Sequence, residues 1–208
     1  MIRFLALVLG DWVYKPFSLI IKTILILRGC RVGKNFLIMA VPSLQKKGGN
    51  IEFGDNVTIK GYLDIRTREK GVIIIGNNIK IDDNVRLIAA NDALLSIGNN
   101  TNIGSFCIFN CGTNVTVGEN CLIASFCYVQ SSNHGIRRGE IIKTQRHTYK
   151  PISIGHDVWV GGSVNILPGA IIGDGCVIGA KSVVTKEIQP YCIALGIPAI
   201  VKKEREMV

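Results

Sequence analysis

No Cys-x-x-Cys occurs among the seven cysteines, and their spacing fits no zinc ligand set, so the sequence offers neither a disulfide framework nor a structural metal site. A reducing compartment, the cytoplasm, fits that usage. No uncharged run approaches the roughly 20 apolar residues of a membrane span. The apolar start, Met1 to Arg28, is broken by Arg3, Asp11, Lys15 and Lys22. A small-residue cleavage site after a continuous apolar run, the mark of a signal peptide, is also missing. Residues 1–31 therefore read as an amphipathic helical leader. Aromatics are scarce, 7% of 208 residues, and they do not interleave with the basic residues, which argues against a nucleic-acid platform. Charged residues are few, 19% against 48% hydrophobic, which excludes a disordered chain. Acidic residues are the scarcer sign, 15 against 24 basic, and the net charge of +9 favours anionic partners such as a phosphorylated cofactor or an acidic lipid surface.

What the chain does have is Ile, Val and 23 Gly in a repeat. Val32-Gly-Lys-Asn, Phe53-Gly-Asp-Asn, Ile75-Gly-Asn-Asn, Ile97-Gly-Asn-Asn and Val117-Gly-Glu-Asn recur 21, 22, 22 and 20 residues apart, the signature of a solenoid. Within this period lies one of six. Twelve hexads begin at Ile75, Ile81, Ile97, Ile103, Val117, Ile123, Ile154, Val160, Ile166, Ile172, Ile178 and Val184. The second position is Gly, Asp or Ala in ten of the twelve, and the fifth is small or β-branched, as at Thr101, Cys107, Cys121, Cys127, Cys176 and Ser182. Six residues make one short strand and one corner, so three units close a triangular coil of about 18 residues. The first residue fills the interior, the fifth points inward near a corner, and Gly at the second relieves the bend. On this reading Cys107, Cys121, Cys127 and Cys176 are small buried hydrophobes rather than catalytic thiols.

The hexads resemble those of the hexapeptide-repeat acyltransferases. The densest stretch is Pro151-Ile-Ser-Ile-Gly-His-Asp-Val-Trp-Val-Gly-Gly-Ser-Val-Asn-Ile-Leu-Pro-Gly-Ala-Ile-Ile-Gly-Asp-Gly-Cys-Val-Ile-Gly-Ala-Lys-Ser-Val-Val-Thr-Lys, followed by Gly196-Ile-Pro-Ala and a basic tail. That stretch is similar to the galactoside, maltose and xenobiotic O-acetyltransferase branch, and to capsule or O-antigen acetyltransferases. The resemblance implies an all-β fold, a left-handed parallel β-helix, with an N-terminal amphipathic helix and one long loop excursion. The expected divisions are a leader over 1–31, the β-helix over 32–189 with its excursion at 130–153, and a basic tail over 190–208. The hand comes from the family alone, since parallel crossovers in general are right-handed.

The excursion opens with Asn133-His134-Gly135, and in similar acetyltransferases a His at this place is the general base. An imidazole suits that task because its ordinary pKa lies near neutrality. His147, deeper in the loop, and His156, at a variable hexad position, are read as non-catalytic. The resemblance implies acetyl-coenzyme A as donor, with no metal. Gly162 and Ala180 would meet the pantetheine arm, Thr185 and Lys186 the nucleotide end, and Lys203 replaces an Arg of the family's tail. The second basic tail position is Ile200, with Lys202 nearby to compensate. Trp159 corresponds to an aromatic near the thiol, or else an outward Trp shielding a coil. The family's acceptor-binding Asp falls at Gly112, which leaves Asn110 and Asn133 as the polar candidates for a glycan or small-molecule acceptor.

The expected function is acetyl-coenzyme A-dependent O-acetylation of a sugar hydroxyl in surface polysaccharide synthesis, by a cytoplasmic homotrimer. N-acetylation of an amino sugar or antibiotic is the alternative. A γ-type carbonic anhydrase would need three in-register His ligands, whereas His134, His147 and His156 are scattered. A non-catalytic solenoid would leave the Asn-His-Gly loop without a reason. Residues 1–28 either rest on an anionic membrane as a peripheral contact or cap the open end of the solenoid.

Overall fold

The structure, a computed structural model, describes residues 10–45 and 49–207. Three parallel sheets wind into a β-solenoid of about seven turns. Face A runs through eight strands, from Arg31–Val32 to Glu187–Ile188. Face B carries nine, from Leu37–Ile38 to Cys192–Leu195 and then Ile200–Glu204, and face C seven, from Ser43–Gln45 to Val183–Val184. Each strand pairs in parallel with the strand one coil away, as Ile97 with Val117 and Ile103 with Ile123. Among the described pairings of the three faces, only Ile200–Glu204 is antiparallel, folding back on Cys192–Leu195.

The hexad explains this interior. All twelve first-position residues are buried, as are the fifth-position Thr101, Cys107, Cys121, Cys127, Val164, Ala170, Cys176 and Ser182. Two details differ from the sequence reading. The second-position glycines do not relieve a bend: a Cβ on Gly118 would lie 2.4 Å from the Gly155 carbonyl oxygen, and one on Gly161 2.6 Å from the Ala180 amide. They are small because the next coil passes against them. The bend is taken at the fourth position, where Asn78, Asn100, Asn120, Asp157 and Ser163 adopt a left-handed backbone that Asn tolerates well. Along the corner from face A to face B these asparagines form a ladder, Asn35 to Asn56 to Asn78 to Asn100 to Asn120, each amide donating to the next at 2.8–3.1 Å.

The fifth-position cysteines also do more than fill space. Cys107 Sγ donates to Ala124 O at 3.1 Å, Cys121 to Gly155 O at 3.1 Å, Cys127 to Gly161 O at 3.2 Å and Cys176 to Gln189 O at 3.0 Å. Thr101 Oγ1 makes the same bond to Gly118 O at 3.1 Å. Ala124, Gly155, Gly161 and Gly118 are second-position residues of the following coil, and Gln189 aligns with the second-position Gly173, so the fifth side chain closes one coil onto the next. All seven cysteines are free and buried.

Helix α1 (Tyr14–Leu27), entered through a 3₁₀ turn at Asp11–Val13, closes the first coil. It buries Tyr14, Ser18, Ile21 and Leu25, one stripe at helical spacing. Ser18 Oγ accepts from the Ile38 amide at 2.8 Å and donates to the Ile38 carbonyl at 3.0 Å, satisfying backbone groups on the free edge of face B. Lys22 Nζ and an Arg28 guanidinium nitrogen donate to the carbonyls of Gly33 and Leu44. The first nine residues of the expected leader lie outside the described residues. At the other end the expected boundary at 189 is passed: 192–195 and 200–204 extend face B, and Arg205 Nη1 ties the tail back, donating to Asp157 Oδ2 at 2.8 Å and Gly175 O at 2.9 Å.

Candidate active site

The excursion between face C and face A is a built hairpin. Ser132–Asn133 pairs antiparallel with Thr148–Tyr149, Ser132 opposite Tyr149 and Asn133 opposite Thr148. This pairing returns the far side of the loop to its start, and sets the His147 ring 4.2 Å from that of His134, tilted by 43°, with Tyr149 beyond it at 6.2 Å. Inside the loop the buried Gln145 is the organiser. Its Oε1 accepts from the Arg137 amide at 2.7 Å, and its Nε2 donates to the carbonyls of Arg137 and Glu140 at 2.9 and 3.1 Å. Gly135 is required by that packing, because a Cβ there would lie 2.8 Å from the Gln145 side chain. Between the two arms opens a cleft of about 870 Å³, lined by His134, His147, Arg137, Glu140, Thr144 and Arg146 among others. His134 and Asn133 are exposed at its mouth.

Beside the hairpin, the outer side of face C is polar. Asn110 lies opposite Gln130, whose Nε2 donates to Ser132 O at 2.6 Å and whose Oε1 accepts from the Tyr128 hydroxyl. Asn110 is thus one coil from the strand that leads into Asn133. Gly112 cannot hold the family's carboxylate in this backbone: a Cβ would meet the Tyr149 ring and the Ser132 Cβ at 2.9 Å. The hairpin's own aromatic covers the place.

The donor candidates lie elsewhere on the coil. Gly162 and Ala180 stack on the corner from face B to face C, where Lys181 N donates to Gly162 O at 2.8 Å. Among the described residues the amides of Gly162 and Ala180 have no backbone acceptor, and the space over Gly162 is open, with the Ser125 carbonyl oxygen nearest at 3.6 Å. Trp159, exposed on face B, borders a groove of about 300 Å³ that it shares with Leu122, Ser125, Lys80 and Asp82. Down the same face Trp159 is in register with Val177, Val177 with Ile193, and Ile193 with Lys203, whose Nζ lies 3.4 Å from Glu206. Thr185 and Lys186 are exposed on the next corner, from face C to face A. One chain therefore brings His134, Asn133 and Asn110 together on one side of face C, and Gly162, Ala180 and Trp159 on the other.

Three features were not anticipated. His147 is a neighbour of His134, a contact that depends on hairpin pairing and leaves no mark in the hexad pattern. Gln145 is the loop's anchor. Phe106 and Phe126 occupy the fourth hexad position on the corner column that continues into Ser163 and Lys181, both with left-handed backbone (φ 62° and 64°), stacked at 5.0 Å and exposed. Aromatics at a position where Asn recurs were the available signal. His156 is exposed, and its Nδ1 accepts from the Glu119 amide at 3.1 Å, a corner bond between coils. Among the described residues no three potential metal ligands cluster.

With this geometry in place, comparison with known proteins adds the following. Residues 151–186 match the model of the bacterial transferase hexapeptide, six repeats. The chain is 30% identical over 179 residues to WbbJ of Escherichia coli, named as a lipopolysaccharide biosynthesis O-acetyl transferase, covering 82% of this chain and 80% of that protein. It is 35% identical over 151 residues to Rv3034c of Mycobacterium tuberculosis, named as an acetyltransferase, covering 71% of this chain but about half, 49%, of that longer protein. Among solved structures, the N-acyltransferase AntD of Bacillus cereus, in complex with coenzyme A and dTDP-4-amino-4,6-dideoxyglucose, superposes with a TM-score of 0.67 over 89% of both chains at 22% identity, a likeness of fold.

Proposed function

This chain belongs to the bacterial hexapeptide-repeat acetyltransferases, and from that premise we propose that it moves an acetyl group from acetyl-coenzyme A to a sugar hydroxyl in surface polysaccharide assembly, in the cytoplasm. The reading is carried by His134, held by the paired hairpin at the open mouth of the cleft. A hydroxyl is a poor nucleophile until its proton is removed, so the His134 imidazole takes that proton as the oxygen attacks. The donor supplies an activated acyl group on a sulfur leaving group. As the new C–O bond forms the C–S bond breaks, and the proton held by His134 passes to the departing sulfur. Asn110 and Asn133, on the hairpin side of face C, orient the acceptor. His147, its ring tilted against that of His134 at 4.2 Å, fixes the ring that does the transfer.

The residues present fit the donor. The unpaired amides of Gly162 and Ala180 suit the amide carbonyls of a pantetheine arm, and the open space over Gly162 admits it. Trp159 covers the arm, while Thr185, Lys186 and Lys203 meet the nucleotide phosphates. AntD, of the same fold, holds coenzyme A with a nucleotide sugar. Because His134 and the Gly162 corner flank face C from opposite sides, the complete site forms between copies, and a homotrimer sets each hairpin against the donor corner of its neighbour.

The test is to incubate the protein with labelled acetyl-coenzyme A and a panel of lipid-linked and soluble glycans. Ester-bound, alkali-labile label on a sugar is expected. Label in an alkali-stable amide would turn the reading to amino-sugar N-acetylation. Donor binding is tested separately: Lys186→Ala and Lys203→Ala should raise the coenzyme Michaelis constant, less so at high salt, and an unchanged constant in both removes them from the site.

A further inference from the structure

Helix α1 has two apolar faces, and the solenoid uses one. Opposite the buried stripe of Tyr14, Ser18, Ile21 and Leu25 runs a second, formed by Leu19, Ile20, Ile24 and Leu27 and prolonged by Trp12 in the preceding turn. Leu27 is 81% exposed and Leu19 66%. Capping explains the first stripe and gives no reason for the second. Contiguous exposed apolar surface of this kind marks an interaction site.

Charge identifies the occupant. Of the first 51 residues, eight are basic (Arg3, Lys15, Lys22, Arg28, Arg31, Lys34, Lys46 and Lys47) and one, Asp11, is acidic. Over these residues the sequence carries +7 of the chain's +9; among the described ones Arg31 is ion-paired with Glu52 at 3.3 Å, and Lys15 and Lys34 are exposed on α1 and the first coil. Lys15 borders the outward stripe, where a long side chain can lay its stem on apolar surface and lift its charge to the rim, while Lys22 beside it is tied to the Gly33 carbonyl. A second copy meeting this stripe face to face would set one cationic end against another. An anionic lipid surface answers both features, since apolar residues enter the headgroup boundary while lysines meet lipid phosphates and a Trp sits at the interface. No described helix is long and apolar enough to cross a membrane, so the contact is with the surface.

We propose that the outward stripe of α1 docks on an anionic membrane and stands the solenoid upright on it. The buried stripe faces the first coil, so the coils rise away from the lipid. The hairpin leaves the fifth coil, four strand spacings up face B from Leu37–Ile38 through Thr58–Ile59, Lys80–Ile81 and Asn102–Ile103 to Leu122–Ile123. At about 4.8 Å per spacing, and with about 10 Å for the helix, His134 stands roughly 30 Å above the membrane. This stand-off deepens the acetyl-transfer reading and rests on it: the acceptor hydroxyl belongs to a sugar several units out from a lipid anchor, not to the sugar next to the lipid. The docking itself does not depend on that reading.

The seven native cysteines are buried, so Thr23→Cys, on the exposed stripe, accepts an environment-sensitive dye selectively. With vesicles of mixed phosphatidylcholine and phosphatidylglycerol the dye should shift to the blue, and sedimentation should show binding at least about tenfold tighter than to phosphatidylcholine alone, falling with salt. Leu19→Gln with Ile20→Gln should abolish this binding while leaving the thermal midpoint and acetyl transfer to a soluble glycan unchanged. Absence of vesicle binding at low salt, equal binding by the double variant, or a dye already blue-shifted without vesicles would overturn the docking. A wild-type mass that the double variant reduces, without vesicle binding, would assign the stripe to a second copy instead. Equal transfer to short and long lipid-linked acceptors would overturn the stand-off and leave the docking standing.

Discussion

In the early coils, partners at the corner from face A to face B lie 20 to 22 residues apart, as Asn56 to Asn78 and Asn100 to Asn120; past the hairpin the step from His156 to Asp174 is 18. The extra residues of the early coils lengthen face C, where Leu63–Thr67 and Val85–Ala89 are five-residue strands against the two residues of Asn165–Ile166 and Val183–Val184. The outer polar groups differ accordingly. Early ones bind each other: the asparagines form a ladder, and the buried Asp64 accepts from Arg66 at 2.7 Å and from Arg86 at 2.8 Å. Late ones bind the tail instead, as Asp157 does Arg205 at 2.8 Å, while among the described residues the amides of Asp83, Ser105 and Ser125 on the corner from face B to face C lack a backbone acceptor just as those of Gly162 and Ala180 do. The interior is the same in both halves, so stability is shared along the solenoid, while the paired hairpin that departs from the repeat opens only between the early and the late coils.

The largest effect that would sharpen this contrast is at the hairpin. His134→Ala should lower turnover by about 10² to 10⁴, or roughly 3 to 5 kcal/mol of transition-state stabilisation, with donor binding and thermal midpoint nearly unchanged. His156→Ala, which removes only a corner bond to the Glu119 amide, should leave turnover as it is. At least half of wild-type turnover in a folded His134→Ala protein, on the true acceptor, would break the contrast and move attention to His147.

The next concerns the early interior. Leu87 is fully buried on face C, and Leu87→Ala should cost about 2 to 5 kcal/mol in denaturant unfolding, through lost burial and a residual cavity, while turnover per folded molecule stays constant. A changed Michaelis constant would show that the early coils feed into the site.

Much of this was legible beforehand because it is periodic. The first-position aliphatics and fifth-position small residues follow from six residues per strand and corner, and every such residue from Ile75 to Val184 is inside. The reason for the second-position Gly was not legible, since it lies in the approach of the next coil. The His134 to His147 contact was hidden for a related reason: an antiparallel hairpin joins residues by a register that no repeat encodes. The pairing within the basic tail was not legible either, because Ile200–Glu204 reverses direction and so escapes a pattern built from parallel strands.

Smaller is the effect expected at the early ionic cluster. Burial alone would raise the Asp64 pKa, but the hydrogen bonds and charges of Arg66 and Arg86 outweigh it and hold the carboxyl below its ordinary range. A lowered folded pKa means that the cluster's stabilisation is present above the ordinary carboxylate range and is lost as pH falls through the lowered value. Asp64→Asn should therefore cost about 1 to 3 kcal/mol at neutral pH, and its deficit against wild type should shrink in acid. A deficit independent of pH would mean that packing, not charge, holds this corner.

The smallest effect tests whether the fifth position is chosen for size or for its donor. Cys121 is fully buried, and its Sγ reaches the Gly155 carbonyl just as Thr101 Oγ1 one coil earlier reaches Gly118. If the donor matters, Cys121→Ser keeps the bond and should stay within about 0.5 kcal/mol of wild type, while Cys121→Ala leaves a buried carbonyl unpaired and should cost about 1 kcal/mol. If size alone matters, Ala should be at least as well tolerated as Ser, because it buries no hydroxyl. Native thiols should also resist alkylation in either case, since all seven are buried and burial pushes the Cys111 thiol up to about 12. Urea unfolding of the two variants, with unchanged dependence on denaturant, decides between a filler and a bond that joins coil to coil.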